Sequence, residues 1–136
     1  KLPHIGEERR RNWNRLYEGL KDIQDKIILP EPEKNSKPSW FGFLISVKEG
    51  TGKSRVELAK HLEANKIQTR NLFAGNLLKH PAFDEMRKTG EGFRVIGDLK
   101  NTDFIMNNTL WIGVYPGMTD EMLDFMIKKI KEYILG

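Results

Sequence analysis

Cysteine is absent from the 136 residues, so this chain offers neither a disulfide nor a thiolate ligand for a metal ion. That absence favours a reducing compartment, and we expect a cytoplasmic location. Long apolar runs are absent as well, and the first residues, KLPHIG, do not resemble a signal peptide. We therefore expect no membrane partner. An initial methionine is also missing, which suggests a piece of a longer protein.

Side chains for self-contained catalysis are scarce. The three histidines, His4, His61 and His80, lie far apart in the sequence and do not have metal-ligand spacing. There is no G-x-S-x-G turn for a nucleophilic serine, and no pair of acidic residues stands apart from the solvated charges. We predict that the chain holds no metal ion and that no catalytic residue lies within it.

The excess of positive charge is small, with a formal net charge of +4. Its one cluster, Arg9-Arg10-Arg11, stands beside Glu7 and Glu8, which is typical of a solvated helix face. A basic α/β module that binds RNA is the alternative from another functional class. The sequence disfavours it, because there is no RNP1-like aromatic strand and no GXXG loop with flanking basic helices. We expect no nucleic-acid partner.

The stretch KEGTGKSRVE, residues 48–57, contains G-K-S, the end of a phosphate-binding P-loop. The P-loop pattern requires a glycine five positions before Gly52, and Val47 occupies that position in a predicted strand. A simpler interpretation accounts for every residue: the two glycines turn the chain, and Ser54 with Glu57 forms a capping box that opens a helix. We expect no phosphate site here.

Hydrophobic periodicity predicts a helix near each end of the chain. In the first, from about Glu7, the apolar positions are Trp13, Leu16, Tyr17, Leu20, Ile23 and Ile27. In the last, opened by Thr119, they are Leu123, Met126, Ile127, Ile130 and Ile134. Between these two we predict helices from Ser54 to about Asn65, from Ala82 to Lys88, and from a cap at Asn101 or Thr102 to about Asn108.

Period-two alternation predicts the strands. In SWFGFLISVKE, the residues on one face are Phe41, Phe43, Ile45 and Val47, and those on the other are Trp40 and Leu44. TLWIGVYP is a second strand, and KIQTRNLF is a short extended segment. One domain, residues 1–136, of the α/β (α+β) class follows. We expect a small two-layer sandwich, in which helices back a few-stranded mixed or antiparallel sheet.

Two polar stretches exceed what a packed domain requires. QTRNLFAGNLLKHPAF, residues 68–83, contains Arg70, Asn76 and Lys79, whose side chains suit contacts with phosphate, hydroxyl or carboxylate groups. NTDFIMNNTLWIGVYPG, residues 101–117, places two asparagines just before a strand. From the residues alone, turn formation and capping explain these polar side chains as well as ligand binding does.

These two stretches resemble the DegT/DnrJ/EryC1/StrS group of vitamin-B6-dependent sugar enzymes. That group carries an aromatic residue followed by a P-[LI]-H loop and a Q-P-A-[YF] ending, and the corresponding segment here reads LFAGNLLKHPAF. The group also carries P-G-[LM]-T before its last helix, matched by WIGVYPGMTDEM. Asn76 stands where the aminotransferases have the loop histidine. GDLKNTDFIMNNTLWIGVYPG is more similar to the branch that removes the C3 hydroxyl of CDP-4-keto-6-deoxyglucose.

The resemblance covers nearly the whole chain and implies the small C-terminal domain of the type I aminotransferase fold. It implies a full-length CDP-4-dehydro-6-deoxyglucose 3-dehydrase of 3,6-dideoxysugar and lipopolysaccharide O-antigen synthesis, with an ordinary nucleotide-sugar aminotransferase as the alternative. The cofactor would be pyridoxamine or pyridoxal phosphate, bound mainly outside these residues. A histidine there would replace the lysine that holds the cofactor in aminotransferases.

The resemblance also implies partners and site residues. The domain would pack on its own N-terminal cofactor domain, in a full-length homodimer, and close one side of the pocket for a CDP-sugar. Arg70, Phe73, Asn76 and Lys79 are then the substrate-binding residues, on an exposed loop. The isolated chain is expected to fold, to bind no cofactor and to be inactive.

Overall fold

The computed structural model describes residues 1–136 and contains five α-helices and four strands. In chain order they are α1 (Leu2–Leu20), β1 (Ile27–Ile28), β2 (Gly42–Val47), α2 (Arg55–Ala64), β3 (Thr69–Asn71), α3 (Asp84–Thr89), α4 (Lys100–Asn108), β4 (Thr109–Gly113) and α5 (Asp120–Leu135). Short 3-10 turns lie at Lys21–Ile23, Leu77–Lys79 and Pro81–Phe83. None of the helices is both long enough and apolar enough to span a bilayer.

The sheet has the strand order β1-β2-β4-β3, and every neighbouring pair is antiparallel. One face of the sheet shares a single apolar core with α1, α2 and α5. Strand residues of that core include Phe43, Ile45, Leu110 and Ile112, all fully buried. The predicted two-layer sandwich is therefore confirmed, and its sheet is antiparallel.

The start of β2 differs from the predicted alternation. Phe43 and Ile45 face the core as predicted, but Phe41 is 57% exposed. The regular ladder begins at Gly42, and the chain bends at Phe41, whose ring packs edge-on against Trp111 at 5.2 Å on the opposite face. Trp40 packs against Trp13 at the border of the core, with 4.6 Å between ring centroids. The faces predicted for Trp40 and Phe41 were thus interchanged.

The first helix was also misjudged at both ends. It begins at Leu2 rather than near Glu7, because Pro3 lies in the first turn, where its missing N–H costs no hydrogen bond. It ends at Leu20, and Ile27 lies on β1, where it pairs with Val47. Ile27 is fully buried in the same core. Its spacing therefore fits the apolar pattern of the helix, although the residue itself lies on β1.

The GTGKS segment forms a turn followed by a helix cap, as predicted. The Ser54 hydroxyl accepts a hydrogen bond from the Glu57 backbone N–H at 3.1 Å. The return half of the capping box is absent, because the Ser54 N–H donates to the Tyr133 hydroxyl and the Glu57 carboxylate pairs with Lys60. The groups of Ser54 that could bind a phosphate are thus engaged in hydrogen bonds within the chain. The segment therefore does not form a phosphate-binding site. Of the apolar side chains of α2, Leu58 and Leu62 are buried, whereas Val56 is 47% exposed.

We predict that Ser54→Ala lowers the free energy of unfolding by about 1 kcal/mol, because it removes the cap of α2. Lys53→Ala is the matched control. Its ammonium lies 5.2 Å from the centre of the Tyr133 ring, a partly exposed contact worth about 0.5 kcal/mol. Urea melts of the two variants measure the difference, and ATP binding that depends on Lys53 would contradict the assignment of this segment as a cap.

Of the N-cap residues predicted for α4 and α5, only the one for α5 is confirmed. Thr119 caps α5 as predicted, since its hydroxyl accepts from the Met122 N–H at 3.3 Å. Neither Asn101 nor Thr102 caps α4, because that helix already begins at Lys100. The Asp98 carboxylate accepts from the Lys100 N–H at 3.1 Å and supplies the missing partner.

Candidate functional site

The second face of the sheet carries no layer of long helices, and a cross-strand row of side chains crosses it. Leu44, Trp111 and Arg70 are direct neighbours in the register of β2, β4 and β3. The Trp111 indole lies over Gly42, where an added Cβ would come within 2.6 Å of the ring. Gly42 therefore allows the indole to form the floor of this face. We call this surface, Leu44, Arg70 and Trp111 with Gly42 and Gly113, the open face.

Arg70 is exposed on the open face, and its guanidinium makes no hydrogen bond or ion pair within the chain. It lines an open groove of about 610 Å³ beside β3 and the start of α5. The apolar wall of this groove includes Trp111, Tyr115, Met118, Met122 and Phe125. A cationic side chain without an internal partner, next to an apolar and aromatic wall, can bind an anionic ligand that also has a flat or apolar part.

The methionines at 118, 122 and 126 have helical spacing, which predicts a core stripe, but only two of them lie in the core. Met118 and Met126 are buried, but Met122 is 48% exposed at the groove. Tyr115 and Phe125 beside it are about equally exposed. Methionine side chains adapt to irregular surfaces, so the groove wall can adjust to an occupant.

Phe73 lies at the other end of the open face. Its side chain is 79% exposed and lines a shallow apolar pocket with Trp111, Leu44 and Phe41. Its backbone φ is +49°, a left-handed conformation that is unfavourable for a residue with a Cβ. Such a conformation persists only where the flanking structure holds it, so the position of Phe73 depends on the loop around it.

We expected Asn76 to lie exposed on its loop, but the residue is only 4% accessible. Its amide donates to the Asp103 carboxylate at 2.7 Å, and its side-chain oxygen accepts from the Leu78 N–H at 3.0 Å. Its own backbone N–H points to the Met106 sulfur at 3.3 Å. Every polar group of the side chain is thus engaged within the domain.

Lys79 joins the same network. Its ammonium lies 2.9 Å from the second oxygen of Asp103, while the side chain is about half exposed. The hydrogen bond from Asn76, followed by that from Lys79, lowers the pKa of the Asp103 carboxyl below its ordinary value. Asp103 is therefore held as a carboxylate between a neutral donor and a cationic one.

The four predicted site residues form two pairs rather than one cluster. Arg70 and Phe73 both neighbour Trp111, whereas Asn76 and Lys79 both bind Asp103. Trp111 was missed as a site residue, although the alternation of β4 already places it opposite Leu110 and Ile112. No sequence signal indicated that Asp103 would meet Asn76.

We predict that Asn76→Ala lowers the free energy of unfolding by about 1.5 kcal/mol, because it removes a buried side chain that binds both the Leu78 N–H and the Asp103 carboxylate. Asn101→Ala, an exposed substitution on α4, is the control and should stay within about 0.5 kcal/mol. Thermal or urea unfolding of both variants measures this. Equal stabilities would mean that the Asn76 network contributes little to the fold.

Other candidate groups have internal partners or lie apart. Arg11 pairs with Asp120 of α5, and Arg9 donates to the Ser39 carbonyl, so part of the arginine cluster binds within the chain. No three histidine, aspartate or glutamate side chains converge as metal ligands would. The open face and its groove are therefore the strongest candidate site.

Comparison with known proteins agrees with the fold and the motifs. The profile described as the DegT/DnrJ/EryC1/StrS aminotransferase family matches residues 1–131. A Salmonella typhimurium protein, "Lipopolysaccharide biosynthesis protein RfbH", is 48% identical over 93% of this chain. The "dTDP-4-dehydro-2,6-dideoxy-D-glucose 3-dehydratase" of Saccharopolyspora spinosa is 42% identical over 98%. The chain spans 28% of the length of each of these two relatives.

Solved structures share the fold at lower identity. The GDP-4-keto-6-deoxy-D-mannose-3-dehydratase of E. coli, with bound hydrated PLP, superposes with a TM-score of 0.80 at 24% identity. A variant of GDP-4-keto-6-deoxymannose-3-dehydratase with bound GDP-perosamine gives 0.82 at 24% identity. In both cases the match covers 96% of this chain and 32% of the solved chain. The predicted aminotransferase-type small domain is confirmed by this likeness.

Proposed function

The chain belongs to the DegT/DnrJ/EryC1/StrS aminotransferase family, and from this premise we propose that it is the small C-terminal domain of a CDP-4-dehydro-6-deoxyglucose 3-dehydrase. The full-length enzyme would act in 3,6-dideoxysugar and lipopolysaccharide O-antigen synthesis, in the cytoplasm. One observation carries the proposal: the two curated relatives at 48% and 42% identity are a lipopolysaccharide biosynthesis protein and a sugar 3-dehydratase.

The cofactor of this enzyme would be pyridoxamine or pyridoxal phosphate. Such a cofactor supplies an electron sink for bond breaking next to a carbonyl or imine carbon. The GTGKS segment of this chain does not offer a site for its phosphate, because the Ser54 groups are engaged in a helix cap and the Lys53 ammonium lies 5.2 Å from the centre of the Tyr133 ring. We therefore place the cofactor in the part of the enzyme that precedes this domain.

This domain would contribute substrate positioning. The exposed apolar side chains beside the open face, Phe41 and Phe73, suit packing on the cofactor domain of the same polypeptide, within a homodimer, so that the sugar nucleotide lies between the two domains. Arg70 would bind a phosphate or hydroxyl oxygen, and Phe73 with Trp111 would pack against flat or apolar parts of the CDP-sugar. Lys79, half exposed, completes the proposed substrate-binding set, and Asn76, buried and bound to Asp103, supports that set from within the loop.

We predict that the isolated 136-residue chain unfolds cooperatively but retains no cofactor, because its apolar core is continuous and the proposed cofactor site lies in the other domain. Incubation with pyridoxal phosphate and desalting, followed by visible absorbance, measures retention. The control is the full-length protein under the same treatment. Near-stoichiometric cofactor on the isolated chain would contradict the assignment.

The reaction is tested with the full-length enzyme, pyridoxamine phosphate and CDP-4-keto-6-deoxyglucose. Loss of the C3 hydroxyl, seen as a product lighter than substrate by one water, is the expected result. A product that instead gains an amino group from an amino-acid donor would identify the aminotransferase alternative. The residue at the cofactor position distinguishes the two as well: histidine for the dehydrase and lysine for the aminotransferase.

A further inference from the structure

Asp103, on α4, binds a loop that is distant in sequence. One carboxylate oxygen accepts from the Asn76 amide at 2.7 Å and the other from the Lys79 ammonium at 2.9 Å. Because the two oxygens hold two different loop side chains, a single residue of α4 fixes both ends of residues 76–79. The side chain of Asp103 is about one-third exposed, so the contacts lie at the border of the domain.

Other contacts hold the same loop at a fixed distance from α4. Gly75 has φ of +67°, and an added Cβ would lie 2.5 Å from the Met106 side chain, so the backbone rests directly on the helix. On the opposite side, the Arg87 guanidinium of α3 donates to the carbonyls of Leu78 and His80. Backbone carbonyls and side chains of the loop are thus bound from two helices.

Phe73 lies between two anchored points. Asn71 pairs with Leu110 in the sheet, and Asn76 is bound to Asp103, so only residues 72–75 connect the two. A short connection between fixed ends restricts the backbone between them. This restriction accounts for the left-handed conformation of Phe73 and for its place beside Trp111.

We infer that Asp103 is a positioning residue: by holding Asn76 and Lys79 it fixes residues 72–79, and thereby fixes Phe73 against the open face where the sugar nucleotide binds. The part that concerns the sugar nucleotide rests on the proposed function. Asp103 does not touch the substrate in this arrangement and acts through the loop. The Asn76 and Lys79 side chains then serve the site mainly through their bonds to Asp103.

We call the hold of Asp103 on Asn76 and Lys79 the clamp. Hydrogen exchange in the full-length enzyme tests it directly. In Asp103→Ala, peptides covering residues 72–80 should exchange about tenfold faster, while peptides of β4 keep their protection. Asp103→Asn keeps an acceptor for Asn76 and should give a smaller increase, as should Lys79→Met. Asp22→Ala is the matched control, because it removes another aspartate–lysine pair, to Lys131 at 2.7 Å, away from this loop.

Steady-state kinetics of the same variants tests the consequence. Asp103→Ala should raise KM for the sugar nucleotide roughly tenfold with a smaller change in kcat, and Asp103→Asn should recover part of the loss. Unchanged exchange in residues 72–80 would overturn the clamp, and faster exchange with wild-type KM would overturn its role in substrate positioning. If the wild-type enzyme turns over no sugar nucleotide, the proposed function and the substrate part fail together, while the exchange result still decides the clamp.

Discussion

Phe43→Ala is expected to lower the free energy of unfolding by about 3–5 kcal/mol, the largest stability effect that we predict for a single substitution in this chain. Phe43 is fully buried on β2, which pairs with both β1 and β4. Its ring lies 5.2 Å from that of Trp13, so it joins the sheet to α1. Truncation removes apolar contacts and leaves a cavity between two layers that can close only in part.

Phe41→Ala is the matched control for this prediction. The same side chain is removed two residues away, but Phe41 is 57% exposed and contacts the edge of Trp111. We expect a loss of about 1 kcal/mol at most, because an aromatic pair contributes on that order beyond its buried area. Urea melts with comparable m-values measure both variants. Similar losses would mean that both side chains face the core, as strict alternation from Phe41 to Val47 predicts.

The elements that the sequence predicted well are those with local signals. Ser54 and Thr119 begin α2 and α5 because each hydroxyl binds an N–H three residues later, within the same short segment. The stripe from Leu123 to Ile134 likewise needs only helical spacing and one apolar neighbour. These features depend on few residues, and so a pattern within one segment is enough to predict them.

The errors concern residues whose conformation depends on distant partners. Ile27 fits a helical stripe, yet it pairs with Val47 across the sheet after a turn that the pattern did not indicate. Trp40 and Phe41 exchange faces because Trp40 reaches Trp13 of α1 and Phe41 reaches Trp111 of β4. Alternation alone has no information about either partner.

The site was predicted unevenly for a similar reason. Arg70 was predicted as a site residue from its side-chain type and from the family resemblance, and its guanidinium is indeed exposed without an internal hydrogen bond or ion pair. Asn76 was expected to be exposed, but Asp103, which binds it, lies 27 residues later. The family resemblance indicated this segment as the candidate site, and only the fold shows which of its side chains are already engaged within the domain.

The second large effect concerns Arg70. In the full-length enzyme, Arg70→Ala should weaken sugar-nucleotide binding or transition-state binding by about 1.5–3 kcal/mol, the usual loss for a hydrogen bond to a charged group. That loss corresponds to roughly 10- to 150-fold in affinity or in kcat/KM. The physical reason is that the guanidinium has no partner in the domain and lies beside the aromatic floor formed by Trp111.

Stability separates this functional role of Arg70 from a structural one. Because the side chain is exposed and unpaired, Arg70→Ala should change the free energy of unfolding by no more than about 0.5 kcal/mol. Arg94→Ala removes another exposed arginine without an internal hydrogen bond or ion pair, and it should alter neither kinetics nor urea melts. Arg70→Lys should recover only part of the loss, since an ammonium cannot form the paired hydrogen bonds of a guanidinium. Normal kinetics combined with a destabilised Arg70→Ala variant would make Arg70 a structural residue and would remove it from the site. The reason is that a side chain that binds only the ligand cannot contribute to the free energy of unfolding measured without the ligand.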